Sequence, residues 1–536
     1  MYSKTNLVMK TKNQRQFVRN AVRLNMKHLF VIAIMFIFSS CSDDPIKKDS
    51  VSPKDISALS DGEGTAAASP PGDVVGKITV GYQGWFAAQG DGSPINAWWH
   101  WALNWGQAPS NSNKGLKAWP DVREYTTTYQ TGYPNLNGGQ PARLYSNWTQ
   151  QTVNTHFLWM QQNNIDCAAL QRFNPNTAEG PTRDGVTTRV RAAAEAYGRK
   201  FYIMYDATGW TNVQSEIKTD WTTKMQTHTN SSAYARQNGL PVVCIWGLGL
   251  NDAAHPATPA ASLDIVNWFK SQGCYVIGGV RREWRTTDPQ FLPFYNALNM
   301  ISPWLIGAVG NVSDADNVYN NYMVGDQAYC NSHNIDYQPC VLPGDLLIHQ
   351  RAHGDLMWRM FYNAVRVGAQ GIYISMFDEY NEGNQIAKTA ENASMVPAGS
   401  GYLALDEDGT PCSSDYYLRL TGDGGRMLKG QIALTATRPT QPVVGSSGGV
   451  VFYQDYNYGG SVSQSLPIGN YTLSQLNARG VPNDWASSVR VPAGRTLIMY
   501  SNDNFSGTSW TRTADTPNFG TLSPNANDQV SSCRVQ

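Results

Sequence analysis

The sequence predicts an α/β fold, a (β/α)8 TIM barrel followed by a small all-β domain. Two observations predict the barrel. Eight short runs rich in apolar, β-branched and aromatic residues lie between Ile78 and Phe377. Segments with helical spacing separate them, and strands so nearly continuous in apolar residues belong to a parallel sheet covered on both faces. A third observation predicts the second domain. Beyond Gly449 the pattern changes to short strands with Gly and Asn turns, and it repeats internally.

A chain of 536 residues exceeds one ordinary core, so two domains and a tail are expected. Lys plus Arg equals Asp plus Glu at 41 each, which leaves no net field to favour nucleic acid. With 17 Trp and 27 Tyr against 15% charged residues, the composition suits surfaces that stack on sugars, and equally β-rich cores.

At the N-terminus, Met26 to Cys41 has a basic start, an apolar run and small residues before the cysteine. The apolar run is about ten residues, too short to cross a bilayer, and reads as a signal peptide. Phe38-Ser39-Ser40-Cys41 resembles a bacterial lipobox, so residues 1–41 are expected to direct export and leave Cys41 lipid-modified, with Met26 a possible true start. The Asp43-Asp44 pair resembles surface-export signals of Bacteroidetes lipoproteins, which places the mature chain on the cell envelope, at the outer-membrane surface, with the membrane as a partner through Cys41. Residues 42–76 read as a flexible tether. Of the eight cysteines, Cys167, Cys244 and Cys274 sit in apolar runs, and Cys330 and Cys340 are the best candidate disulfide pair.

Residues 77–434 hold the barrel. Its strands are expected at Ile78–Phe86, Ile165–Phe173, Phe201–Asp206, Pro241–Gly249, Cys274–Val280, Ile301–Gly310, Pro339–Leu342 and Gly371–Phe377. Helices are expected at Thr152–Asn163, Val186–Tyr197, Ser262–Gln272, Leu356–Val367 and Asp415–Leu428. In such a barrel the strand ends converge on one face. That face would collect Tyr82, Trp85, Trp99, His100 and Trp101 from the first strand and its sequel. Asp206 would join them from the third strand, Trp246 from the fourth and Trp304 from within the sixth. The eighth run ends in three carboxylates, Asp378, Glu379 and Glu382. Paired acids in an aromatic cleft are what glycosidic cleavage uses, one donating a proton and the other accepting one or attacking.

The stretch Ser375-Met-Phe-Asp-Glu-Tyr-Asn-Glu-Gly383 resembles the last-strand motif of glycoside hydrolase family 99, with Glu379, Glu382 and Gly383 matching and Asp378 and Asn381 departing. Gly81-Tyr-Gln-Gly-Trp-Phe86 is similar, more loosely, to that family's first strand, and Lys77 to about Leu434 resembles the broader family 71/99-like group. The resemblance implies hydrolysis of an α-linked glycan, mannan-like or related, with no cofactor for catalysis. It makes Glu379 the base on the sugar's own 2-hydroxyl and Glu382 the general acid/base. Asp378 is a third candidate acid. The nearest rival is a family 71-like inverting α-glucanase, and the rival from another class is a non-catalytic glycan-binding lipoprotein.

Residues 435–449 read as a linker and 450–536 as the second domain. Tyr453-Gln-Asp-Tyr-Asn-Tyr458-Gly-Gly460 recurs as Tyr500-Ser-Asn-Asp-Asn-Phe505-Ser-Gly507, and Asn483-Asp-Trp-Ala-Ser-Ser488 recurs as Asn527-Asp-Gln-Val-Ser-Ser532. These resemble the paired Greek-key motifs of a βγ-crystallin domain and its calcium consensus. The resemblance implies Ca²⁺ held by Asn483, Asp484, Ser487, Asn527, Asp528 and Ser531, each site drawing on both motifs.

Overall fold

All eight expected runs contain strand. In the computed structural model, which describes residues 69–250, 252–443, 449–492 and 495–536, they form one curled parallel sheet flanked by helices. The strands are Ile78–Tyr82, Cys167–Arg172, Lys200–Asp206, Leu240–Trp246, Tyr275–Val280 and Met300–Pro303, then a seventh in two pieces, Asp336–Tyr337 and Cys340–Val341, and an eighth, Ile372–Ile374. Val80 at the heart of the first strand pairs with Ala168 on one side and Ile374 on the other. Every residue of the first, second and fifth strands is buried, as strands covered on both faces must be.

The two pieces of the seventh strand stand at opposite ends of the sheet order. Pro339 has no N–H to give to a ladder, so regular pairing breaks there. The intervening residues still reach both neighbours. Gln338 N–H donates to Ile301 O of the sixth strand at 2.9 Å, and Tyr373 N–H of the eighth donates to Pro339 O at 3.1 Å. Contacts across the sheet show the curl: Gln171 Nε2 donates to the Tyr373 hydroxyl at 3.2 Å from two strands away.

The structure corrects several expectations. The sixth strand stops at Pro303, so Trp304 follows it rather than lying within it; its N–H bonds back to Val280 O at 2.8 Å and the chain then turns at Gly307. An apolar run is buried there without being extended. Cys330 and Cys340 are not bridged: the first lies on the helix Val324–Ser332, the second in the sheet, and each is a free, buried thiol. The expected tether runs too far into the fold. Ser69 N–H donates to Asp336 Oδ1 at 3.1 Å, Val75 N–H to Gln237 Oε1 at 3.1 Å and Gly76 N–H to Gln370 O at 2.6 Å. Residues 69–76 therefore form a strap beside the starts of the fourth, seventh and eighth strands, with Val74 fully buried. The described part of the linker is also tied down: Trp358 Nε1 donates to Thr435 O at 3.1 Å and Arg438 pairs with Asp355 at 3.0 Å. The signal segment, Cys41 and most of the tether lie outside the described residues.

The helix Tyr416–Leu428 follows the eighth strand and contains Gly422, Gly424 and Gly425. A Cβ at Gly422 would stand 2.5 Å from Asn163 O, one at Gly424 2.5 Å from the Phe361 ring, and one at Gly425 2.9 Å from Ile78. Helix propensity favours alanine at all three, and close approach forbids it.

In the second module the two repeats exchange strands. Val451–Tyr453 pairs with Ser488–Arg490, extended by bridges from Val450 to Leu466 and from Val489 to Thr516 of the second repeat. The other sheet runs Gly469–Tyr471, Ser532–Val535, Leu497–Asn502, Ser506–Arg512, so the first repeat lends it an edge strand in return. Phe452, Leu476, Met499 and Phe519 lie buried between them.

Gly422→Ala is expected to destabilise the protein by about 1–3 kcal/mol in urea unfolding, because overpacking against a carbonyl outweighs the ~1 kcal/mol gain in helix propensity. An unchanged or higher midpoint would refute that close packing.

Candidate active site

Beyond Ile374 the chain leaves the sheet, and Phe377 N–H still bonds to Gly81 O of the first strand at 2.7 Å. A tight turn follows. Glu382 N–H and Gly383 N–H both donate to Glu379 O at 3.2 Å, which puts the two glutamates on one face. Gly383 closes it at φ +78°, where a Cβ would stand 2.7 Å from Asp345 Oδ1. Arg351, 2% exposed, clamps the turn by donating to Gly383 O and Gln385 O at 2.8 Å each.

The three acids have different surroundings. Asp378 is fully buried, and its carboxylate accepts the backbone N–H of Gln83 at 2.7 Å and of Gly84 at 2.9 Å, which ties the ends of the first and eighth strands together. Gly84 takes φ +58° there, against Val186 and the Tyr82 ring. Burial pushes the Asp378 carboxyl up to about 7 against those two N–H groups. Glu379 is 4% exposed; its Oε1 accepts Gln83 Nε2 at 2.7 Å, and its Oε2 has no partner among the described residues. Burial, and then the Glu382 charge, hold its carboxyl well above the usual range. Glu382 is exposed to solvent, yet the protein around its recess raises its carboxyl too, opposed by the charge of Lys117. Lys117 is itself held by Asp345 at 2.6 Å. The turn thus carries one buried and one accessible carboxyl.

The expected aromatic cleft divides in two. Trp85 stacks on His100 with ring centres 3.8 Å apart, and His100 keeps Nε2 without a partner among the described residues. Burial, helped by the Arg183 charge, lowers the His100 pKa well below its usual value and keeps it neutral. Trp246, half-buried at the end of the fourth strand, meets Trp304 at 4.8 Å, and Trp304 meets Tyr373 at 6.3 Å. Asp206 pairs in register with Trp246 and accepts the Thr208 N–H at 2.8 Å, and burial raises its carboxyl.

Tyr82, Trp99 and Trp101, expected to touch substrate, are fully buried and serve the core. The Tyr82 hydroxyl bonds to His156 Nδ1 at 2.8 Å, Trp101 stacks on Phe86 and donates to Tyr145 O, and Arg183 lies over Trp99 at 4.8 Å. Aromatic composition alone does not separate rings that pack from rings that line a cleft. Sequence reading missed Gln83, Lys117 and Arg351. Only Gln83 carried a signal, as the polar residue inside Tyr82-Gln-Gly-Trp85.

In the second module, Asp484 and Asp528 take matching left-handed conformations at φ +53° and +51°. Ser487 Oγ lies 3.3 Å from Asp528 Oδ1, a contact that joins the two repeats. Ser531 Oγ instead donates to Ser501 O at 3.0 Å.

Glu379→Gln keeps the bond to Gln83 and removes a buried charge. Groups with raised folded pKa values stabilise the fold at low pH and lose that contribution as pH rises through the folded value. The variant should therefore be the more stable of the two at pH 8 in chemical unfolding. The gap should narrow towards pH 4.5, and a less stable variant at pH 8 would show that the site does not strain Glu379.

No protein-family model matches the chain. Development-specific protein S of Myxococcus xanthus is 44% identical over 85 residues, and its homolog from the same organism is 35% identical over 85 residues, each match covering 16% of this chain. The chain spans just under half the length of these curated relatives, 46% and 45%. Among solved structures, a βγ-crystallin domain from Clostridium beijerinckii is 53% identical and matches over 16% of this chain and 95% of its own, with a TM-score of 0.15. The family 99 endo-α-mannosidase from Bacteroides thetaiotaomicron is 15% identical over 67% of this chain and 98% of its own, with a TM-score of 0.49.

Proposed function

We propose that the first module is a glycoside hydrolase acting on an α-linked glycan, mannan-like or a related polysaccharide, with Glu379 and Glu382 as its reacting pair. One observation carries this reading: a turn places two carboxyls on one face, one buried against Gln83 and one open to solvent. The order of the strands and the two-residue join in the seventh support a full (β/α)8 barrel around that turn. Asp378, with both oxygens engaged by backbone, is assigned to positioning.

In the free protein burial disfavours the charged form of Glu379, while Lys117 favours the ionised form of Glu382. The resemblance gives Glu382 the acid's role, and sugar binding supplies the reversal. Covering Glu382 removes its water and raises its pKa, while a sugar hydroxyl donating to Glu379 stabilises that anion. Glu379 then takes the 2-hydroxyl proton as that oxygen attacks the anomeric carbon, and Glu382 protonates the departing oxygen. Water opens the resulting anhydro sugar, giving its proton to Glu382 as Glu379 returns its own to the 2-oxygen. Half-buried Trp246 and Trp304 provide flat apolar faces for pyranose rings.

On a panel of α-mannans and α-glucans, Glu379→Gln and Glu382→Gln are each expected to lower kcat by about 10²–10⁴-fold, the usual worth of a general acid or base. An aryl glycoside with a good leaving group should restore turnover to Glu382→Gln and not to Glu379→Gln. Sugar-induced tryptophan fluorescence without cleavage of any panel member would instead support a glycan-binding role.

With this reading go a lipid anchor at Cys41 on the outer-membrane surface and a Ca²⁺-binding second module with paired Greek keys. The exchanged edge strands support the Greek-key reading. The donors fit a hard cation: Asp528 stands with Ser487 in one site, and the repeat assigns Asp484 and Ser531 to the other, beside Asn483 and Asn527. Among the described residues no group of three or more His, Cys, Asp or Glu is arranged to hold a metal ion, so hydroxyl and carbonyl oxygens would complete each shell. Calorimetry should show Ca²⁺ binding that Asp484→Ala with Asp528→Ala abolishes, and a wild type without binding heat would overturn the assignment.

A further inference from the structure

The segment between Ile374 and Tyr416 bears the three acids at its start and Asp415 at its end. Its middle is tied to the barrel by Glu391, which pairs with Arg123 at 2.8 Å and accepts the Ser414 N–H at 3.1 Å. Its end is held from the second module. Arg490 donates from Nη2 to Asp415 Oδ2 at 2.9 Å and from Nη1 to Asp515 Oδ2 at 3.0 Å, and its guanidinium lies 4.0 Å from the Tyr458 ring centre. The other Asp415 oxygen accepts Ser413 Oγ at 2.6 Å and Arg419 Nε at 3.2 Å. Asp415 is 8% exposed, so this is a desolvated junction rather than a surface pair. Nearby, Gln162 Nε2 donates to Asn457 O at 3.3 Å, and both modules belong to one compact unit.

The internal repeat supplies its own comparison. Arg534 occupies the place of Arg490 in the second repeat and lies over Phe505 at 4.8 Å, as Arg490 lies over Tyr458. Packing within a repeat therefore explains an arginine over an aromatic ring in both copies. It does not explain why the first copy also grips an acid of the barrel.

We propose that the second module is an intramolecular brace for the acid-bearing loop, with Arg490 a positioning residue acting through Asp415. The brace is separable from the hydrolase reading, which enters only in its consequence for turnover. Hydrogen exchange of backbone amides in residues 384–415 tests it on the full chain without substrate. Arg490→Met and Asp415→Asn should each speed exchange there by roughly tenfold, the worth of a hydrogen bond to a charged group. Arg490→Lys should fall between them and wild type, and Arg534→Met should match wild type. The first strand, Ile78–Tyr82, should stay protected throughout. Wild-type exchange in both Arg490→Met and Asp415→Asn, equal acceleration by Arg534→Met, or acceleration spread equally to the first strand would each overturn the brace. Where a cleaved glycan is in hand, Arg490→Met should lower kcat with KM unchanged. Failure to find such a glycan bears on the hydrolase reading alone.

Discussion

The grip of Asp378 on two consecutive backbone N–H groups is the contact on which the site depends. It fastens the last strand's exit to the first strand's exit, at the seam where the chain's two most distant sheet segments lie side by side. The same grip fixes the backbone of Gln83, so the Gln83 side chain is delivered to Glu379. Gly84 has to accept a left-handed conformation in a space bounded by Val186 and Tyr82, and a larger residue there would disturb the Asp378 contact directly. Fold closure and acid placement are thus one structural event.

Charge placement around the turn follows from that event. Three carboxyls lie within five residues, and full ionisation of all three in so dry a place is costly. The protein answers each differently: backbone N–H groups for Asp378, a neutral amide for Glu379 and a nearby ammonium for Glu382. Because the amide is the weakest of these responses, Glu379 is the carboxyl most readily protonated. The acid that is hardest to ionise is also the one with a free oxygen, and that combination stores reactivity at the expense of stability.

The strands were legible because burial on both faces leaves runs such as Cys167–Arg172 almost wholly apolar. Their ends were less so. The run after Ile301 is equally apolar where it turns, and hydrophobicity registers burial, not extension. The acid turn was legible from local spacing, since Glu379 and Glu382 need only one turn between them. Arg351 and Lys117 were not, because each reaches the turn from another part of the chain and neither sits in a distinctive local pattern. The same limit applies to the rings: Trp99 and His100 are neighbours in sequence, yet one is sealed in the core and the other stacks beneath Trp85. In the second module the repeat made almost everything local, and Asp484 and Asp528, which recur in it, take matching left-handed conformations.

Arginine does the fastening at both ends of the acid loop, and its chemistry explains why. Arg351 joins two carbonyls, Gly383 O and Gln385 O, through one nitrogen, Nη2, whose two N–H groups are held in the plane of the guanidinium. Its Nε and Nη1 are left without hydrogen bonds among the described residues, and its guanidinium rests instead on the Tyr417 ring at 4.5 Å. A buried cation so incompletely paired is a poor way to gain stability, since an apolar residue of equal volume would avoid the desolvation. What it provides is geometry. The turn has no regular secondary structure to hold it, and a single Nη2 bonded to both carbonyls fixes their spacing. Arg490 applies the same logic at Asp415, dividing its fork between a barrel carboxylate and one of its own module. The acid-bearing loop is therefore fixed twice, by packing of Phe377, Tyr380 and Ile386 into the core and by directional contacts at its two ends, which together hold its carboxyls in register.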